Sequence, residues 1–89
     1  MNLEMRIVQA LDKLNNLIKN FDKAKADKMN LSISQLKKII NDLERMKSNM
    51  NPKDFYPTYG HMIIDSWNPE EEIELSDELL KIKNAYNKI

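Results

Sequence analysis

The chain has no cysteine, one glycine, three prolines and one histidine in 89 residues. Each shortage removes a class of structure or chemistry. Without cysteine there is no disulfide, no thiolate nucleophile and no thiolate metal site, so a domain this small must rely on helix packing or on a partner. A lone glycine rules out a phosphate-cradling loop, and no Asn-Gly or Asp-Gly pair marks a hairpin. The single histidine, His61, leaves no two-histidine metal site, and no nucleophile–base pair stands out. His61 therefore reads as a surface or interface residue, because a catalytic base needs partners and a pocket. The carboxylates Glu70, Glu71, Glu72 and Glu74 lack the spacing and glycine of a calcium loop. Also missing is a long uncharged apolar run: the opening MNLEMRIVQALDKLNN carries charges throughout and is neither signal peptide nor membrane span. The expectation is a cytoplasmic protein that is not an enzyme and needs no cofactor or metal.

What the sequence does contain is helix. An apolar fraction of 42 % is enough for a core and argues against disorder. Leu3, Ile7, Leu11, Leu14, Ile18 and Phe21 recur mostly at steps of three and four, and Val8, Ala10 and Leu17 widen the stripe. This first helix is expected to run toward Asp27, followed by a short connection. Ser32 with Gln35 three positions later is a capping box. Behind it Leu36, Ile39, Ile40, Leu43, Met46 and Met50 keep helical spacing, and Pro52 ends the helix near Asn49 to Asn51. Thr58 is a cap for a short helix over Tyr59 to Trp67, with a strand through His61–Ile64 as the alternative. Asn68-Pro69-Glu70-Glu71-Glu72 has the form of a helix start: cap, proline, then carboxylates against the positive end of the dipole. Ser76-Asp77 offers a later start. Ile73, Leu79, Leu80, Ile82 and Tyr86 are expected to face inward. The predicted fold is all-α, a compact bundle of three to four helices in which residues 1–89 form a single helical domain.

Charge is unevenly placed along this fold. Residues 1–53 carry eleven Lys/Arg against six Asp/Glu, and residues 54–89 three against eight. The acidic part also holds five of the six aromatic side chains. A negative field with large rings suits a basic partner. We therefore single out Tyr56, Tyr59, His61, Asp65, Trp67, Glu70, Glu71, Glu72 and Glu74 as candidate partner-binding residues. The plainer reading is a solvated acidic helix start, with Trp67 as a core lid. The lysines at 13, 19, 23, 25, 28, 37 and 38 raise the question of nucleic acid. Interleaved acids, an arginine count of two and the phosphate-repelling acidic half argue against it.

Two groups of residues carry a resemblance. The first is Leu31-Ser32 with Gln35-Leu36, Ile39 and Leu43; the second is Gly60, Ile63, Glu74-Leu75-Ser76, Leu79, Ala85 and Tyr86. In these, and in helix order over most of its length, the chain resembles the small all-helical immunity proteins that neutralise type VI secretion effector toxins. The group it looks like is paired with toxins that degrade NAD(P)+ or make modified adenine nucleotides. It departs from that pattern by lacking a proline after the first helix and by extra residues around Asn68 to Glu72. The resemblance implies a protein that binds a cognate toxin domain with a basic active-site cleft and occludes it. The competing expectations are a helical structural or adaptor module, including one that pairs as a homodimer, and a nucleic-acid-binding antitoxin.

The two apolar stripes yield a direct prediction. Leu11→Ala and Leu36→Ala should each cost roughly 2–5 kcal/mol in chemical or thermal unfolding. Unchanged melting of both variants would show that the faces are wrongly assigned.

Overall fold

A computed structural model describes residues 2–89 and contains five helices: α1 (Leu3–Lys19), α2 (Lys23–Met29), α3 (Ile33–Ser48), α4 (Tyr59–Asp65) and α5 (Ile73–Asn87). Among the described residues there is no strand, so the all-helical class holds while the expected number of helices is one too low. The extra helix comes from a break in the long first helix. The Asn20 backbone N–H closes α1 on the Leu17 and Ile18 carbonyls. Asp22 then restarts the chain, its carboxylate accepting the Lys25 amide at 2.9 Å. Asp22 is thus an N-cap rather than a mid-helix residue, the role its short acceptor favours. Asn30, left-handed at φ 59°, ends α2. The Ser32–Gln35 capping box is present in both directions, at 3.1 and 2.8 Å.

α1 packs against α3 and α5, and α4 closes over α3 and α5. The radius of gyration, 12.5 Å, matches the value of about 12 Å for a compact chain of this length. Ile7, Leu14, Leu36, Ile39, Leu43, Leu79 and Ile82 are fully buried, and Leu11 is nearly so. Val8, counted into the α1 stripe, is 39 % exposed, because the apolar arc of α1 is narrower than the residues suggest. Arg6 on α1 reaches Glu78 on α5 at 2.8 Å, and its hydrogen bond holds the Glu78 carboxyl below the usual carboxylate range.

Two tyrosines and one aspartate satisfy buried polar groups. The Tyr59 hydroxyl donates to the Leu79 carbonyl at 2.6 Å, joining α4 to α5, and burial together with the Asp42 charge pushes this phenol well above its usual range. Asp42 on α3 is 1 % exposed; its carboxylate takes Lys38 Nζ at 2.7 Å and the Thr58 backbone N–H at 3.3 Å. Thr58 does occupy the cap position of α4, yet its own side chain makes no cap bond. A carboxylate from α3 accepts there instead, beside the positive end of a short helix. α4 stops at Asp65 rather than Trp67. Tyr86 Oη lies 2.9, 3.0 and 3.1 Å from the carbonyls of Asn49, Asn51 and Phe55, pinning the loop after α3 to α5. Burial raises the Tyr86 phenol too, with the Asp54 charge adding to it.

Tyr86→Phe removes the one donor those three carbonyls share and keeps the ring. It should lower stability by about 0.5–1.5 kcal/mol in urea unfolding, the net worth of a partly buried hydrogen bond. A variant as stable as the wild type would mean that the loop is held by other contacts.

Candidate functional site

The acidic segment is shaped by hydrogen bonds that begin at Trp67. Its indole N–H donates to the Glu71 carbonyl at 2.7 Å, folding residues 67–71 into a turn beneath which the ring is buried. Inside the turn Asn68 accepts the Glu70 amide at 3.1 Å on its side chain and the Glu71 amide at 3.0 Å on its backbone. The same residue donates outward to α2: its side-chain amide to the Lys28 carbonyl at 2.8 Å and its backbone N–H to Met29 at 2.9 Å. Asn30 answers with 2.9 Å to the Ser66 carbonyl. Four orphan carbonyls end every helix; at α2 two of them are met by Asn68.

These bonds correct the expected start of the last helix. Asn68 does not cap it, and neither does Ser76, whose hydroxyl bonds the Ile73 carbonyl inside the first turn. α5 begins at Ile73 after Glu72, which is left-handed at φ 50° and makes no side-chain cap bond. Ile73 is also not inward: it is 55 % exposed. The buried row of α5 is Leu75, Leu79, Ile82 and Tyr86. Ile73 and Leu80, seven apart, stand together beside that row.

The nine candidate residues fall into three groups. Tyr59 and Trp67 are core, 0 % and 3 % exposed, with both polar atoms bonded internally, which removes them as partner anchors. Glu71 and Glu72 are held by Lys25 of α2, at 3.5 and 3.2 Å. Burial opposes the charge on Lys25, yet the Glu72 hydrogen bond and the two carboxylates prevail and raise its pKa. Tyr56, His61, Asp65, Glu70 and Glu74 remain exposed. Tyr56 is 59 % exposed, with Lys83 Nζ 5.8 Å from its ring centroid. The Lys83 stem crosses Gly60, where an added Cβ would lie 2.9 Å from Cδ and Cε, and this flexible side chain would have to shift to admit it.

Two concavities flank α5, and Glu74 and Asp77 line different ones. On one side a polar cleft of ≈ 570 Å³ runs between α1 and the start of α5; Glu72 and Glu74 there face Lys13 and Lys25, with Asn16 and Asn20 between. On the other side Asp77 borders an apolar groove that contains no base. Among the described residues Asp65, Glu70, Glu74 and Asp77 have no base within ion-pair distance. No three His, Asp or Glu among those residues converge as a metal-binding group, and no helix is long and apolar enough to cross a membrane. Sequence reasoning missed Lys25 as a partner of the acids and missed Asp77 as a site residue. No local signal points to Lys25, because its pairing spans 47 positions. Asp77 was legible, lying one turn after Ile73.

Asn68→Ala should destabilise by about 0.5–2 kcal/mol, by uncapping α2 rather than α5. Hydrogen exchange should report faster opening of α2 and of residues 66–72, with α5 protection from Leu79 onward unchanged. Selective fraying of the first turn of α5 would contradict this assignment. Against protein-family models, curated proteins and solved structures, the chain shows no match.

Proposed function

We propose that this protein is an immunity protein: a helical binder that acts in the cytoplasm, docks on the basic active-site cleft of a cognate secreted toxin and keeps substrate out. The observation that carries this reading is the set of exposed carboxylates at Asp65, Glu70, Glu74 and Asp77, which form no ion pair among the described residues. Unpaired surface acids do little for folding. Their value lies in the field they project, which speeds encounter with a positive surface and disfavours nucleic acid. Enzymes that handle nucleotide phosphates present such positive clefts, in keeping with the family resemblance of the sequence. The scaffold is suited to the task as well. Asp65 stands on α4, Glu74 and Asp77 stand on α5, and Glu70 lies on the turn that Trp67 and Asn68 tie down, so little ordering is required on binding. With Tyr59 and Trp67 buried, Tyr56 and His61 are the remaining ring-bearing contacts from the original set.

Co-expression with the toxin-domain gene from the neighbouring reading frame tests this directly. The wild-type chain should restore growth and co-purify with the toxin in moderate salt. Asp65→Lys, Glu70→Lys and Glu74→Lys together should slow association roughly tenfold or more and reduce protection, with circular dichroism unchanged. Full protection by the triple variant would assign these acids to solvent. Retention of the free protein on heparin, lost between low and moderate salt, would favour the nucleic-acid reading instead.

A further inference from the structure

The groove on the far side of α5 has a composition that the acidic surface alone does not explain. It is ≈ 240 Å³ in volume, walled by Ile64 of α4, by Pro69 and by Ile73 and Leu80 of α5, with Trp67 contributing from within and Asp77 at the edge. Ile64 is 74 % exposed and Ile73 55 %. Single exposed aliphatics are ordinary, but here the two border one concavity. Packing does not require either of them: Tyr59, Ile63, Leu75 and Leu79 already bury the facing surfaces of α4 and α5. The exposed charges next to its walls are mostly acidic, with Lys81, which follows Leu80, a base beside them. Asp65 follows Ile64, Glu70 follows Pro69, and Asp77 lies one turn beyond Ile73, all exposed and without a base in ion-pair range among the described residues. The polar cleft across α5 differs, because Lys13 and Lys25 offset its acids.

We propose that this groove seats an apolar side chain from a basic amphipathic helix of a partner protein, with flanking lysines or arginines facing Asp65, Glu70 and Asp77. The proposal rests on the inhibitor reading above and names the part of the surface that would hold the toxin once charge has brought it near. Apolar anchors enclosed by a polar rim carry most of the affinity in such interfaces. A helix presenting one apolar stripe matches a groove between two helices. A second copy of this chain fits less well. A closed two-fold pair places the same patch against itself, so Asp65 and Asp77 would meet the same acids of the partner copy.

The test is a titration of the full 15N-labelled chain with a synthetic Lys/Leu amphipathic helix, alongside a Glu/Leu analogue and a Lys/Ser analogue without the stripe. Shift changes should concentrate on Ile64, Ile73, Asp77 and Leu80, with a change in Trp67 fluorescence. Both analogues should bind more weakly by roughly tenfold or more. Ile64→Ser combined with Ile73→Ser should weaken the Lys/Leu peptide to a similar degree, while Val8→Ser, at an exposed position of α1, should not. Both isoleucines are exposed, so the double variant is expected to fold, and circular dichroism checks this. Shifts scattered over the surface or centred on the Lys13–Glu74 cleft overturn the proposal, as does unchanged binding by the double variant. Sedimentation that finds a dimer abolished by Ile64→Ser assigns the groove to a second copy and overturns it too. The neighbouring toxin separates the two claims. A wild-type chain that binds the peptide but not the toxin refutes the inhibitor reading, whereas a double variant that still binds and neutralises the toxin refutes the groove.

Discussion

The hydrogen bond from the Trp67 indole to the Glu71 carbonyl, 2.7 Å long, constrains more of this molecule than its size suggests. Burying the large ring requires a partner for its N–H. The nearest acceptor lies on a backbone that would otherwise continue as helix. With residues 67–71 held as a turn, Glu72 takes a left-handed conformation and α5 begins only at Ile73. That start decides the rotation of the whole helix. Leu75, Leu79, Ile82 and Tyr86 enter the core, Ile73 and Leu80 lie beside it, and Glu74 and Asp77 face opposite sides. The same turn presents Asn68 to the end of α2 and brings Glu71 and Glu72 to Lys25. α2, only seven residues long, is too short to be stable by itself and owes its place to Met29 and this clasp.

The helices were readable from spacing because most of their burial is of the kind that periodicity reports. The rows through α1 and α3 and the Ser32–Gln35 box are local signals, and they fall where the structure has them. Non-local interactions account for the errors. Nothing near Asp22 requires a helix to restart there, since aspartate can also face solvent in mid-helix; the choice depends on Phe21 turning toward the core. The Asn68-Pro69-Glu70 signature is a sound local start, but it loses to the indole of the residue before it. The cap of α4 lies on α3, where Asp42, sixteen positions away, accepts the Thr58 amide. No window of sequence contains that pairing.

The candidate surface was legible in charge and illegible in geometry. A run without a base is visible in any count, and Asp65, Glu70 and Glu74 are indeed exposed. Whether a ring in that run faces solvent depends on helical phase and on acceptors elsewhere. Tyr59 and Trp67 are buried because Leu79 and Glu71 supply carbonyls within reach, whereas Tyr56 sits before α4 and stays out. Ile64 was overlooked for a related reason. It follows Ile63, which takes the inward position, so helical rotation by one residue carries Ile64 from the core to the groove edge.

The acids of this short segment have two physical roles. Where Glu71 and Glu72 meet Lys25, partly exposed ion pairs and the Asn68 bonds restrain a small helix, and their charge is largely spent inside the molecule. Outside that pairing, Asp65, Glu70 and Asp77 keep a field that acts at the range of a Debye length, roughly 8–10 Å in physiological salt. Such a field mainly alters the rate of encounter, while residence time depends on contacts that exclude water. Ile64 and Ile73 supply apolar area at that border. Both are free to serve a partner because the bundle closes without them: the facing sides of α4 and α5 are already filled by Ile63, Leu75 and Leu79, and Tyr59 and Tyr86 bond backbone carbonyls across the helices and loops.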